Sequence, residues 1–220
     1  IKTNADQTVL TEITTYEYDS FGRLSRQITD RSSQGNPSTS QVVTYGYDNS
    51  GRLSTQNTQT SVHLEQGDVL SNDITTYAYD DFGRIAKQDT ESKRQGDNST
   101  YLSTTTYTYD QYGRVNHTNT VSKKQIPNQA AEVTQDATDT AYDQYARVAS
   151  NRTNHTNADG SKSLIESSVA YDQYARVKTQ TQINHQIVGE YDGDGKDGDD
   201  VVTRAVTENT HDRYGRVSHT

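Results

Sequence analysis

At 220 residues with 29% apolar content, against roughly 45–50% in ordinary globular domains, the chain is too polar to bury a conventional thick core. A net charge of −9 argues against a surface for nucleic-acid backbones, which needs a basic excess. The lack of cysteine removes disulfides and thiolate metal sites, and the sequence contains neither a signal-peptide pattern nor an apolar run of the about 20 residues a membrane span requires. Nucleic-acid partners and membrane insertion are therefore not expected. Such polarity also suits disorder, but two prolines, sixteen tyrosines and abundant Thr and Val favour strands.

In chain order, residues Ile1 to Thr15 read as an approach strand that leads into Thr15-Tyr16-Glu17-Tyr18-Asp19-Ser20-Phe21-Gly22-Arg23-Leu24. Tyr16 and Tyr18 share one face of a strand, and Asp-x-x-Gly is a turn in which the carboxylate caps and Gly accepts positive φ. Leu24 opens the return strand. The stretch recurs as TYGYDNSGRL at Thr44 to Leu53, TYAYDDFGRI at Thr76 to Ile85 and TYTYDQYGRV at Thr106 to Val115, then more loosely as TAYDQYARV, VAYDQYARV and NTHDRYGRV. Indexed on Asp19, Asp48, Asp80, Asp110, Asp143, Asp172 and Asp212, the spacings are 29, 32, 30, 33, 29 and 40 residues. A period of this size marks a repeat architecture of about seven units.

Polar stretches at Arg31 to Ser40, Gln59 to Asn72, Glu91 to Thr100, Ser122 to Gln135, Arg152 to Lys162 and Asn184 to Asp200 read as variable loops at the far end of each unit. No stretch has sustained helical periodicity. Each unit is predicted as two strands of about 8 to 11 residues joined by the tight motif turn. The fold class is all-β, a repetitive β-hairpin strip or solenoid-like array filling residues 1–220 as one tandem domain. The chain ends in mid-repeat, so it reads as part of a continuing array.

Aligned on the aspartate, the preceding residue is Tyr18, Tyr47, Tyr79, Tyr109, Tyr142, Tyr171 or His211. Three places after it stands Gly22, Gly51, Gly83, Gly113, Ala146, Ala175 or Gly215, and four places after it the arginine never changes: Arg23, Arg52, Arg84, Arg114, Arg147, Arg176 and Arg216. An aromatic follows two places after every aspartate except Asp48, and a branched aliphatic five places after all of them. One hairpin is marginal in water, so stability is expected from stacking of neighbouring units. Tyr pairs and Arg over Tyr would supply it, with Asp paired to Arg. The tyrosine columns are expected to be buried; binding of sugars by ring stacking is the competing use.

At these residues the chain resembles the YD-repeat (Rhs) family, whose hallmark is Tyr-x-Tyr-Asp-x-x-Gly-Arg-Leu. The resemblance covers nearly the whole length. It implies β-hairpins laid side by side, as in Rhs proteins, Tc toxin shells and teneurins, and a secreted or surface-exposed protein. Two departures stand out. Asn209 and His211 replace both tyrosines of the last unit, while Ala146 and Ala175 replace glycine. A Cβ in a left-handed turn costs about 1–2 kcal/mol, so those two turns are expected to depart from left-handed geometry.

Candidate sites lie mainly outside the motif. The insertion Glu190 to Asp200 offers Glu190, Asp192, Asp194, Asp197, Asp199 and Asp200 interleaved with glycine, oxygen ligands of the kind that calcium loops use. Asp200 falls one place early for the usual closing acid, and Lys196 adds positive charge, so a solvated acidic loop is the alternative. Asn98, Asn116, Asn151 and Asn154 occur in Asn-x-Ser/Thr sequences and are candidate glycosylation sites. Six histidines show no metal-binding spacing and are expected to face solvent. With no catalytic constellation, the sequence points to a non-enzymatic extracellular structural protein, a fibre or filament subunit that self-associates through repeat stacking, with glycans or cell-surface molecules as further partners. The alternatives are a wall segment of a toxin-encapsulating shell and a surface adhesin or glycan-binding module.

Overall fold

The recurring turn signals and β-branched arms produce an all-β chain. A computed structural model describes residues 2–3, 9–33, 35–65, 67–96, 98–187, 201–211 and 217–219. After the short β1 (Lys2–Thr3) come β2 (Val9–Tyr18) and β3 (Leu24–Ser33), β4 (Asn36–Tyr47) and β5 (Leu53–His63), β6 (Val69–Tyr79) and β7 (Ile85–Arg94). They are followed by β8 (Thr100–Tyr109) and β9 (Val115–Gln125), β10 (Glu132–Tyr142) and β11 (Val148–Thr156), β12 (Lys162–Tyr171) and β13 (Val177–Ile187), and β14 (Val201–Glu208). Strands β1 to β14 form one sheet in which spatial order is chain order, while β15 (Thr210–His211) and β16 (Val217–His219) form a separate pair. The chain divides into two compact units, Ile1–Thr104 with Ser122–Glu132 and Thr105–Val121 with Val133–Thr220.

The strands run well into the stretches expected to be loops. Strand β3 continues to Ser33 and β4 begins at Asn36, β5 continues to His63, and β9 continues to Gln125. Thr, Ser, Asn and Gln there have neighbouring strands on which to close the backbone ladder, and their side chains add cross-strand hydrogen bonds, so apolar residues are not needed.

One register repeats. The residue before the index aspartate pairs with the residue five after it, as in Tyr18↔Leu24, Tyr47↔Leu53, Tyr79↔Ile85, Tyr142↔Val148 and Tyr171↔Val177. The next pair skips one residue of the return strand, a bulge that accompanies a type I turn with a left-handed last residue. The register between hairpins is equally constant: Arg26↔Thr44, Thr55↔Thr76, Ser150↔Ser168 and Thr179↔Glu208 occupy equivalent positions. These pairs bridge index spacings of 29, 32, 29 and 40 residues. Length differences are therefore absorbed at the far ends and leave the motif end unchanged. Even the last motif keeps the pairing, with His211↔Val217 and Thr210↔His219.

The alanine exchanges do not alter the turn. Ala146 and Ala175 both have φ 65°, beside 77° at Gly22 and 80° at Gly113. The hydrogen bonds explain why: Ala146 and Ala175 donate to the carbonyls of Asp143 and Asp172 as Gly22 does to Asp19, each at 3.0 Å. The bulged ladder and the carboxylate cap over-determine the conformation, and alanine tolerates the strain.

Burial departs from the expected tyrosine core. Among the described residues only Val43, Leu164, Thr29 and Ser99 are buried. The tyrosines before Asp48, Asp80, Asp110, Asp143 and Asp172 are half-buried, and the aromatics two places after the aspartates stand out in solvent. A ring at the turn corner lies beyond the backbone ladder, where each hairpin has few apolar residues to cover it.

Ala175→Gly is expected to stabilise the protein by about 1 kcal/mol and Gly22→Ala to destabilise it by about 1–2 kcal/mol. No atom lies within 4 Å of a Cβ built on Gly22, so the backbone conformation alone sets that cost. Denaturant unfolding of the two variants checks both signs.

Candidate functional site

The geometry that recurs most faithfully is at the motif turn, where Asp, Arg and the tyrosine of the following hairpin form one assembly. Asp19 receives its own turn's donors: Oδ1 accepts from the amides of Phe21 and Arg23, each at 2.9 Å, and Oδ2 accepts from Arg23 Nε at 2.7 Å. The same set occurs at Asp48, Asp80, Asp110, Asp143 and Asp172. In several turns Nη2 joins Nε on Oδ2, at 2.6 Å for Arg147 on Asp143. The carboxylate thus caps the turn and fixes the guanidinium plane in one step.

The fixed guanidinium reaches the neighbouring hairpin. Arg23 lies 4.3 Å from the Tyr47 ring centroid, Arg52 4.3 Å from Tyr79, Arg114 4.3 Å from Tyr142 and Arg147 4.1 Å from Tyr171. Each of these tyrosines also donates its hydroxyl to the backbone carbonyl just after the arginine beneath it. The distances are 2.7 Å for Tyr47 to Leu24, 2.6 Å for Tyr79 to Leu53, 2.7 Å for Tyr142 to Val115 and 2.9 Å for Tyr171 to Val148. Two contacts of different kind, one to a ring face and one to a hydroxyl, lock one hairpin to the next. The glycine shares in this approach, since a Cβ built on Gly51 would meet Arg23 Nη1 at 3.6 Å. That is ordinary van der Waals contact, so the space at such a position admits alanine.

The cap shifts the carboxylates. At Asp19, Asp80, Asp110 and Asp143 desolvation pushes the carboxyl up, but the amide and guanidinium hydrogen bonds outweigh it and hold it below the usual 3.8. At Asp48 the Arg52 amide is the leading cause of a fall in the same direction. At Asp172 the Arg176 guanidinium leads, and the value falls to about 2.

The same arginines touch the aromatic of their own turn, Arg23 over Phe21 and Arg176 over Tyr174 at 4.9 Å, Arg114 over Tyr112 and Arg147 over Tyr145 at 5.0 Å. These outer rings remain 69–84% exposed across Phe21, Phe82, Tyr112, Tyr145 and Tyr174. The expected burial of the motif aromatics therefore holds in part for the column before the aspartate and fails for the column after it.

A second column lies outside the motif. Five residues before and ten after the aspartate, hydroxyls meet across the hairpin: Thr14 with Thr29, Thr75 with Thr90, Thr105 with Thr120 and Thr138 with Thr153. Extending the alignment outward reveals the signal, since Thr29, Thr58, Thr90, Thr120 and Thr153 share the later position.

Asn98 lies exposed in the β7–β8 turn with φ 51°, and Asn154 lies exposed on β11. Asn116 is half-buried on β9 and accepts a hydrogen bond from Thr108, and Asn151 is half-buried on β11. Four histidines face carboxylates, His63 with Asp68, His117 with Asp139, His155 with Asp136 and His185 with Glu166. Hydrogen bonds that the His155 ring donates to Asp136 and Asn157 raise its pKa. The acidic residues Glu190, Asp192, Asp194, Asp197, Asp199 and Asp200, and the motif residues Asp212 and Arg216, lie outside the described residues. Among the described residues no cluster of three or more His, Cys, Asp or Glu is disposed to hold a metal ion, and no helix is long and apolar enough to cross a membrane.

A scan against protein-family models finds no match, and a search of curated proteins finds none either.

Tyr171→Phe removes one hydroxyl-to-carbonyl bond and should cost about 0.5–1.5 kcal/mol. Arg147→Lys, which loses two ring contacts and the planar fork on Asp143, should cost more; unfolding of both variants checks the order. Because the carboxyl of Asp172 is lowered on folding, its contribution is present above the ordinary carboxylate value and is lost as pH falls toward about 2. An NMR titration of the Asp172 carboxyl carbon alongside acid unfolding should show this direction.

Proposed function

We propose that this chain is a non-enzymatic extracellular structural protein, a YD-repeat strip of the Rhs type whose units self-associate into a fibre at the cell surface. The observation that carries the reading is the coupling between hairpins. Its two halves are an Arg with the carbonyl that follows it on one side, and a Tyr ring with its hydroxyl on the other. In the first hairpin the rings of this second half stand in solvent. Tyr18 is 63% exposed and Tyr16 53% exposed, and among the described residues no guanidinium lies over either ring. Strand β1 pairs with β2 at Val9 and Leu10, short of Tyr16 and Tyr18.

A strip of this kind grows by adding hairpins edge to edge, and Tyr16 and Tyr18 carry the chemistry that accepts one ending in Asp-x-x-Gly-Arg. A hairpin from a second copy, docked there, would reproduce a contact the chain already makes within itself. The −9 net charge keeps such units soluble before they assemble. The resemblance to the YD-repeat family supports the surface location.

Negative-stain electron microscopy of the purified chain should show continuous thin fibres whose abundance rises with concentration. Tyr16→Ser with Tyr18→Ser should shorten or abolish them while leaving the far-ultraviolet spectrum of the sheet intact. Discrete monomers at all concentrations would overturn the reading, and closed hollow particles would replace it with a shell wall.

A further inference from the structure

The turn tips of the second compact unit differ in chemistry from those of the first. In the first they read Ser20-Phe21, Asn49-Ser50 and Asp81-Phe82, with no common polar partner beside the aromatic. In the second they read Gln111-Tyr112, Gln144-Tyr145 and Gln173-Tyr174, the same pair three times in succession. All six of these side chains are exposed, the tyrosines at 74%, 69% and 69%. Each ring has its own arginine on one side, Arg114, Arg147 or Arg176, at 4.9–5.0 Å. Each of those guanidiniums is already neutralised by its aspartate.

The hairpins bearing these tips are locked side by side through Tyr142 on Val115 and Tyr171 on Val148. Successive tips are therefore two strands apart, about 9.5 Å at the usual strand spacing. A row of aromatic rings at that interval, each beside a planar amide and a charge-neutral ion pair, matches the repeat of a flat sugar chain. In a β-1,4-linked polysaccharide with equatorial linkages, two sugars span about the distance between neighbouring tips. Apolar C–H faces then stack on the tyrosines, while the glutamine amides offer both a donor and an acceptor to ring hydroxyls.

We propose that the turn edge of the second unit, through Gln111, Tyr112, Gln144, Tyr145, Gln173 and Tyr174, binds an extended, uncharged β-1,4-linked polysaccharide, one disaccharide per tip. The β-1,4-linked glucan and the β-1,4-linked N-acetylglucosamine polymer share this geometry. An α-1,4-linked chain, which coils, does not. The site is separate from the β2 edge invoked for assembly, so a fibre could form without it and it could bind without a fibre.

Isothermal titration of the full chain with cellohexaose and with chitohexaose tests this and distinguishes the two sources. At least one hexaose should bind about tenfold or more tightly than its disaccharide, because a six-sugar chain spans all three tips, and maltohexaose should give no heat. The combined Tyr112→Ala, Tyr145→Ala and Tyr174→Ala variant should lose binding by about tenfold or more, whereas Phe21→Ala with Phe82→Ala should retain it. Should the tyrosine variant misfold by circular dichroism, Gln111→Ala with Gln144→Ala and Gln173→Ala decides, since it leaves every arginine stack in place; it should weaken binding several-fold. Failure of both hexaoses to bind, equal affinity for hexaose and disaccharide, or undiminished binding by a folded tyrosine variant or by the glutamine variant would overturn the proposal.

Discussion

Everything in this chain depends on the guanidinium that is gripped by its own turn and laid on the neighbour's tyrosine. An arginine side chain left to itself has several freely rotating bonds, and holding it in one place has an entropic cost. Here the aspartate meets that cost locally, inside a turn already fixed by the bulged ladder. The coupling to the next hairpin then needs little further ordering, only a ring to cover and a carbonyl to offer the tyrosine hydroxyl. Because one end of each hairpin is fixed in this way, backbone pairing can proceed toward the far end with the register already chosen, which removes the slippage to which polar strands are prone.

This arrangement explains how so polar a chain forms a sheet. There is little apolar area to remove from water, and just two apolar side chains, Val43 and Leu164, are buried among the described residues. Cohesion is spread instead over backbone ladders, capped carboxylates, cation–π contacts and the threonine hydroxyl pairs such as Thr105 with Thr120. Each is small on its own, but the repeat supplies them at nearly every hairpin. A globular core concentrates its stability; here it is distributed, in the manner of repeat proteins whose units answer mainly to their neighbours.

Much of the fold was legible because the aspartate, arginine and tyrosine columns are fixed in sequence and turn chemistry is local. The Asp19–Arg23 pairing, the strand directions and the left-handed position of Gly22 all follow from ten consecutive residues. What was not legible depends on neighbours. Nothing local says that Arg23 lies over Tyr47 in preference to Tyr18, nor that Tyr47 reaches the carbonyl of Leu24. An aromatic in a regular column suggests a core, yet Phe21 and Tyr112 stand exposed because the turn corner offers few apolar side chains to cover them. Ala146 and Ala175 show the converse: the hydrogen bonds that surround a residue outweigh its intrinsic preference. The threonine pairs lie up to ten places from the index aspartate, beyond the residues whose chemistry is local to the turn.

The constant register across unequal spacings has a genetic consequence. Thr179 meets Glu208 as Arg26 meets Thr44, although 40 residues separate one pair of aspartates and 29 the other. A stretch of DNA encoding one whole unit could thus be duplicated or deleted, and the new junction would find the same contacts waiting on either side. Insertions at the far ends would be equally silent at the motif end. The architecture is tolerant of unequal recombination in a way that a shared core, where each element is shaped to several others, is not.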